Sequence, residues 1–344
     1  MFRKQPIEKL YGMIDNFEFD DITPIAIVYD KKQDKPKSFI EMKVFDDDQE
    51  NIDNRMFVKE QLSKNPHKCP FCEKPFSNNF NARRHLKVAC PFRKVKKKEW
   101  DNRRDRRYEQ ILKLEDNEIV KSQFPNPKLR DIAYVSGPYG AGKSTYVKNY
   151  MKSFIELFEP SSENGGDGDK TIFLISRIDN DESFRDYLDD GTMIQVDIND
   201  PDIIENPLDA KQELNNSLII FDDYELLDKN IQKSIEITLK DVLLNGRDQA
   251  NEGNDIYCIV TSHQMSNYSK TRDILNECSS ITFFPKAGGV RGIQYVLKNY
   301  CGFDKDDIKK LMNLPSRWVT VYKRYPNWCL YSKGCFALHA SEYF

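Results

Sequence analysis

Gly137-Pro138-Tyr139-Gly140-Ala141-Gly142-Lys143-Ser144-Thr145 stands between an apolar run, Asp131 to Ser136, and a helix-like run, Thr145 to Phe158. The stretch fits G-x-x-x-x-G-K-S in full and reads as a phosphate cradle. Its glycines let backbone N–H groups turn inward around a polyphosphate, and the following helix presents its positive N-terminal end. In that pattern Lys143 reaches the β- and γ-phosphates and the Ser144 hydroxyl ligates Mg²⁺. A strand-to-helix turn that binds nothing has little need of the Lys-Ser pair. Residues 137–145 are therefore the expected nucleotide site, with ATP and Mg²⁺ as its ligands.

Downstream, apolar strand-like runs alternate with helical ones: Thr171 to Ser176, helix Asp181 to Leu188, Met193 to Ile198, then Ser217-Leu-Ile-Ile-Phe-Asp-Asp223 and helix Ile231 to Leu244. Such alternation predicts an α/β P-loop NTPase fold, a parallel sheet covered by helices on both faces. The carboxylates at the end of the Ser217 run complete a hydrolytic site. Asp222 is the expected holder of Mg²⁺ and Asp223 the group that orients or deprotonates the attacking water. The next run, Ile256 to Ser262, ends in His263 and Gln264, where a neighbouring strand should meet the γ-phosphate. His263 is accordingly a candidate sensor of ATP against ADP, although a histidine at a strand end can also be a plain cap. Ser280 to Phe284 reads as a fifth strand. The tail from Pro315 to Gly334 reads as an aromatic hairpin around Tyr325-Pro326-Asn327, packed over the sheet edge. The Gly-rich stretch from Glu159 to Lys170 reads as a loop.

Upstream, Asp116 to Arg130 reads as a linker into this domain. Before it, Cys69-x2-Cys72-x12-His85-x4-Cys90 has the ligand number and spacing of a tetrahedral structural Zn²⁺ site. A fragment of that size cannot bury enough core alone, and metal ligation supplies the missing folding energy, on the order of 10 kcal/mol. The segment resembles a two-Cys, two-His finger with Cys90 as last ligand, and departs from it at Ala82, where a larger aliphatic is usual. Taking His85 as the seventh helical residue, that resemblance puts Asn78, Asn81 and Arg84 at the base-reading positions. A finger that binds protein or braces the fold stays open as the alternative. The continuation from Pro91 to Gln110 is dense in Lys96, Lys97, Arg103, Arg104 and their neighbours, interleaved with Trp100 and Tyr108. Such a stretch suits phosphate contacts irrespective of base sequence, or serves as a localisation patch or solvated helix. Residues 1 to 66 predict at most a small hairpin, Pro24 to Tyr29 against Ser38 to Phe45, and a short helix from Arg55 to Lys64.

The whole chain, 344 residues with 39% apolar and 31% charged side chains, is long enough for one large core plus smaller modules. Its net charge of −3 hides an asymmetry: Lys68 to Arg107 carries fourteen Lys/Arg and four Asp/Glu, so the remainder is acidic. Three of the eight cysteines fall in the finger and the other five are scattered, which favours a reducing, intracellular compartment over a disulfide framework. No run approaches the ~20 apolar residues of a membrane span, and the N-terminus lacks a signal peptide's apolar block.

Taken together, GPYGAGKST, LIIFDD, LLNGRD, CIVTSHQ and ITFFP resemble, in that order, the FtsK/HerA superfamily of DNA-pumping ATPases, over residues 128 to about 335. Within it the likeness is to the genome-packaging ATPases of large eukaryotic DNA viruses and related mobile elements. The resemblance implies a homo-oligomeric ring, double-stranded DNA as substrate track, capsid or portal-type partners, and a setting in host cytoplasm, viral factory, virion or nucleus. It also implies that Arg247, with Arg272 as second choice, reaches a neighbouring subunit's γ-phosphate. Asp248 stands where viral relatives commonly have His, and the finger with its basic extension lies outside the family's core domain. Two other functions are compatible with these residues: a DNA-binding protein whose nucleotide domain switches assembly, and a small-molecule P-loop kinase.

Overall fold

The computed structural model describes residues 2–19, 22–43, 67–69, 72–77, 79–85, 90, 110–158, 170–178, 181–246, 255–267 and 270–338. The chain divides into two compact units, one of residues 43–109 and one of residues 2–42 with 110–344. The expected helix from Arg55 to Lys64 and the loop from Glu159 to Asp169 lie outside the described residues.

The larger unit is built on a ten-stranded sheet. Its parallel half comprises β6 (Ile132–Ser136), β7 (Thr171–Ser176), β8 (Met193–Gln195), β9 (Ser217–Asp222), β10 (Tyr257–Ser262) and β11 (Ser280–Phe283). These strands run β11-β6-β10-β9-β7-β8 across the sheet. The phosphate-loop strand β6 is flanked by β10 and β11, and β10 separates it from the acidic strand β9. Strands β6, β9 and β10 are buried at every position, as continuous apolar runs under helices on both faces should be.

Side-chain alternation assigns the faces. Ile132 and Tyr134 of β6, with Ile219, Phe221, Cys258 and Val260, meet α6 (Lys229–Asn245), α7 (Arg272–Glu277), α8 (Val290–Asn299) and α9 (Lys305–Met312). Ala133 and Val135, with Leu218, Ile220 and Ile259, meet α3 (Lys143–Phe158), which buries Tyr146, Val147, Tyr150, Met151 and Phe154 against them. Each fully buried side chain of that size contributes about 1.5–3 kcal/mol relative to exposure. The shorter α4 (Arg185–Asp189) and α5 (Pro201–Glu205) bury none of their residues.

Three parts of this unit differ from the expectation. The aromatic tail does not pack over the sheet edge but continues the sheet: β12 (Val319–Tyr322) pairs antiparallel with β11, then β13 (Trp328–Tyr331), β14 (Gly334–Ala337) and β4 (Ile111–Lys113) follow. Its alternation comes from strands covered on both sides, so Trp318 and Trp328 are buried at 8% and 4% exposure. Residues 116–130 are not a linker. Within them β5 (Glu118–Val120) joins a second sheet, and Phe124, Asn126 and Arg130 are buried. That sheet, ordered β1-β3-β2-β5, contains the hairpin expected at the N-terminus and extends it by one further strand on each side. It combines β1 (Phe2–Pro6), β2 (Ile22–Asp30) and β3 (Pro36–Lys43), with α1 (Ile7–Asp15) laid beside it. Leu10, Phe19, Ile27 and Phe39 pack with Phe124 and with Leu157 at the end of α3, so the N-terminal sheet leans on the helix that follows the phosphate loop.

In the smaller unit, an isolated bridge between Lys68 and Pro75 closes a tight turn that carries Cys69 and Cys72. Helix α2 (Asn79–Arg84) then leads into His85. No helix among the described residues is long and apolar enough to cross a membrane.

Candidate active site

The parallel strands β6, β9 and β10 all end on one side of the sheet, and their C-terminal residues form the site. Gly137, directly after β6, donates its N–H to the Ser262 carbonyl at the end of β10, at 3.0 Å. A Cβ on Gly137 would lie 2.6 Å from a ring carbon of Phe284, so this position needs glycine for close approach. Further along, Gly140 and Gly142 have φ of +72° and +111°, backbone that side chains rarely adopt. The loop then enters α3, whose first turn carries Lys143, Ser144 and Thr145. Ala141 is buried, Ser144 is half-buried, and Pro138 and Tyr139 project from the loop, with Tyr139 94% exposed.

Lys143 is 7% exposed, and its ammonium donates to the Gly137 carbonyl at 3.0 Å. It also lies 3.4 Å from Asp223 Oδ1. Asp222 closes β9 and is buried; burial pushes its carboxyl up to about 6, against the opposing pull of a Thr261 hydrogen bond. Asp223 is left-handed at φ +46° and half-exposed, and its Oδ2 lies 2.8 Å from His263 Nε2. The structure thus brings Lys143, Asp223 and His263 into one ion-paired group, to which Asp222 is joined through the hydroxyl of Thr261.

Two further residues, Thr261 and Glu225, hold this group and a third, Arg317, holds the loop, and no motif of the sequence singles them out. Thr261 on β10 is fully buried; its hydroxyl lies 2.7 Å from Asp222 Oδ1 and accepts the Asp223 N–H at 3.0 Å. Glu225 accepts the His263 N–H at 2.9 Å and the Ser262 hydroxyl at 2.7 Å through a single oxygen, Oε1. Arg317, just before β12, bonds the phosphate loop itself. The signal available for Thr261 was a polar Thr-Ser pair ending an otherwise apolar strand. Arg317 carried no local signal, since its contact spans 176 residues of chain.

The donor set fits a metal–nucleotide complex. A buried carboxylate whose charge is disfavoured by desolvation, with the Lys143 cation at the start of α3 acting on it, is chemistry that a divalent cation and an anion would complement. Arg272 is the exposed first residue of α7. Arg247, with Asp248, lies outside the described residues, as do Asn78, Lys96, Lys97, Arg103 and Arg104.

In the smaller unit Cys69, Cys72, His85 and Cys90 offer four ligand atoms all within 4.8 Å of one another. Cys72 Sγ is 3.2 Å from His85 Nε2 and Cys69 Sγ is 3.6 Å from Cys90 Sγ. Phe76 packs on the His85 ring at 4.9 Å between centroids, and Ala82 is completely buried. Three soft thiols and an imidazole in this arrangement suit Zn²⁺. Asn81 and Arg84 are exposed on α2, third and sixth from its start.

No family model matches the chain. Among solved structures it is similar to the DNA-packaging ATPase B204 of Sulfolobus turreted icosahedral virus, at 14% identity and a TM-score of 0.36, over 56% of this chain and 92% of that one. It is also similar to the conjugation coupling protein TcpA of pCW3, at 12% identity and a TM-score of 0.38, over 97% of this chain and 82% of that one. The uncharacterized protein V3 of Sputnik virophage is 34% identical over 226 residues, which span 63% of this chain and 83% of V3. At that identity and extent, the chain belongs to the same family as V3 of Sputnik virophage.

Proposed function

We propose that the protein hydrolyses ATP to move double-stranded DNA, and that the DNA is a viral genome being packaged. The observation that carries the hydrolytic part is the convergence of Lys143, Asp222, Asp223 and His263 at the ends of three adjoining strands. The phosphate loop and Lys143 would bind the triphosphate. Ser144 and Asp222 would hold Mg²⁺, which supplies charge neutralisation on the phosphate oxygens. Asp223 is shared between Lys143 and His263. A triphosphate competes for Lys143, leaving Asp223 to take the proton of the attacking water while His263 steadies its other oxygen. His263 is itself fixed by Glu225, so a change at the γ-phosphate has a direct route to the loop beyond β10.

The DNA part is supported by the basic stretch from Lys68 to Arg107, fourteen cations against four acids in an otherwise acidic chain. The motif order of the DNA-pumping ATPases and a family member in a virophage support the packaging role and, with it, a ring in which Arg247 completes a neighbour's site. Zn²⁺ at Cys69, Cys72, His85 and Cys90 would shape the DNA grip, with Asn78, Asn81, Arg84, Lys96, Lys97, Arg103 and Arg104 on nucleic acid.

The test is ATP turnover with and without double-stranded DNA, for the wild type, Asp223→Asn and Cys69→Ser. DNA should stimulate the wild type, Asp223→Asn should lose about 10³-fold in turnover, and Cys69→Ser should retain basal turnover while losing stimulation. Turnover indifferent to DNA, with nucleotide instead controlling oligomerisation, would replace the motor by an assembly switch. Phosphate delivered to a small acceptor would replace it by a kinase.

A further inference from the structure

Arg317 sits in the segment between α9 and β12, outside every motif of the nucleotide site. Its Nε donates to the Ala141 carbonyl at 2.8 Å and its Nη2 to the Gly140 carbonyl at 2.7 Å. One planar cation thus bonds two consecutive carbonyls of the phosphate loop. The guanidinium also packs on the loop: a Cβ on Gly142 would lie 3.4 Å from Nε. The segment that carries Arg317 is anchored separately. The Ser316 hydroxyl bonds the Trp318 carbonyl and the Ser332 hydroxyl, the Trp318 ring meets Tyr146 edge-on at 5.1 Å, and Thr320 bonds the Tyr146 hydroxyl at 2.8 Å. Tyr146 belongs to the first turn of α3, so the antiparallel extension braces both the loop and the helix it feeds.

A trans peptide puts its C=O and N–H on opposite edges. The Gly140 carbonyl shares its peptide unit with the Ala141 N–H, which donates to the Pro138 carbonyl at 3.1 Å, and the Ala141 carbonyl shares its unit with the Gly142 N–H. A cation on the carbonyl edge polarises those units, strengthening the Ala141–Pro138 bond that closes the loop's turn and the Gly142 N–H as a donor. It also occupies the edge turned away from those N–H groups, so Arg317 acts through the backbone and does not itself touch phosphate. We propose that Arg317 is a positioning residue that presets the phosphate loop for the nucleotide's α- and β-phosphates, and that β12 with its neighbours exists in part to deliver it. The proposal rests on the reading of residues 137–145 as a nucleotide site.

Affinity of the full chain for Mg²⁺–ADP and for a non-hydrolysable Mg²⁺–ATP analogue, measured by calorimetry, tests it. Arg317→Gln should weaken both by about tenfold, the size of a charge-assisted hydrogen bond to a partly exposed cation. Arg317→Lys keeps one of two prongs and should weaken both by about threefold. Equal losses for the two nucleotides are the signature of the loop, because both carry the phosphates it holds. Loss confined to the ATP analogue would mean direct contact with the γ-phosphate and would overturn the proposal, as would unchanged affinity in both variants. Should Arg317→Gln lower the ligand-free melting temperature, the graded Arg317→Lys response still decides, since a lysine retains the packing on Gly142. A wild type that binds neither nucleotide would remove the nucleotide site itself, whereas a wild type that binds both as tightly as Arg317→Gln does would remove only the role of Arg317.

Discussion

The Thr261 hydroxyl has one proton and faces two carboxylates, and the distances decide where it goes. Asp222 Oδ1 at 2.7 Å receives it, Asp223 Oδ1 at 3.2 Å does not, and the hydroxyl's free lone pair accepts the Asp223 N–H at 3.0 Å. That single side chain therefore aims one acid and pins the left-handed backbone of the other, a conformation that costs roughly 1–2 kcal/mol for an ordinary L-residue. Thr261→Val keeps the shape but leaves a buried acceptor and a backbone N–H unpaired. It is expected to lower stability by about 2 kcal/mol and to reduce ATP turnover more than nucleotide binding. Thr261→Ser should preserve both. A valine variant that melts and turns over like the wild type would show that the hydroxyl aims nothing. Lys170 poses the opposite case, a charge held where it is not wanted. Burial pushes its ammonium down to about 8, although it donates to Asn216 Oδ1 at 2.7 Å and lies over the Phe158 and Tyr257 rings. Unfolded, it keeps its proton to ~10.4. Between those values the unfolded chain binds more protons, so stability rises with pH; below the folded value the penalty is fully present. Lys170→Met is thus expected to stabilise the protein at pH 7 by about 1 kcal/mol, screening by solvent being partial there. Melting curves should show that gain shrinking as pH rises through 8 towards 10.

At the scale of elements, the C-terminus of α6 shows why some structure was legible and some was not. The helix is readable from its apolar spacing, and it is capped by Gly246, a residue type that usually signals a left-handed cap. Gly246 instead has φ −69°. Its lack of a side chain serves Arg130, whose guanidinium bonds the Val242 carbonyl, the Leu243 carbonyl at 3.2 Å and the Ile256 carbonyl at 2.6 Å. A Cβ on Gly246 would lie 2.5 Å from the Val242 carbonyl oxygen and 2.6 Å from the Arg130 Nη2 that bonds it. That partner is more than a hundred residues away in sequence, so no local pattern announces it, and Arg130 read as the end of a linker. The parallel strands were visible for the converse reason. Runs such as Ser217 to Asp222 and Tyr257 to Ser262 are mostly apolar because they are covered on both faces, and they stop at acids or at Ser262-His263, where Asp223 and His263 meet. Helix α1 escaped because its Ile7 and Leu10 lean on Leu157 of α3 and on Phe124, contacts that composition does not encode. Arg130→Ala should destabilise the protein by about 2–4 kcal/mol, through the loss of its hydrogen bonds to three carbonyls and the cavity it leaves. Gly246→Ala should cost a similar amount although its φ is permitted. Chemical denaturation of the two single variants and the double variant checks this: shared dependence on one guanidinium makes the losses less than additive, and full additivity would contradict it.

The molecule as a whole draws its folding energy from two unlike sources. The unit of residues 2–42 and 110–344 buries an extensive apolar core on both faces of its large sheet. The unit of residues 43–109 carries the cluster Cys69, Cys72, His85 and Cys90, where metal ligation would supply on the order of 10 kcal/mol. A zinc-selective chelator, in excess Mg²⁺, is therefore expected to release one Zn²⁺ per chain. It should leave the main thermal transition and DNA-free ATP turnover in place; a fall of more than a few degrees in that transition would mean that the finger stabilises the core. The charge distribution adds a quantitative expectation. If the basic stretch makes the DNA contacts, replacing Lys96, Lys97, Arg103 and Arg104 by glutamine removes up to four phosphate contacts. The slope of log Kobs against log salt should then fall by about 3–4, at roughly 0.9 per contact on duplex DNA. Cys69→Ser, which spares those cations, should lower affinity with a smaller change in slope. The two variants separate a finger that shapes the grip from cations that supply its strength, and a slope unmoved by the four replacements would place the grip on the core instead.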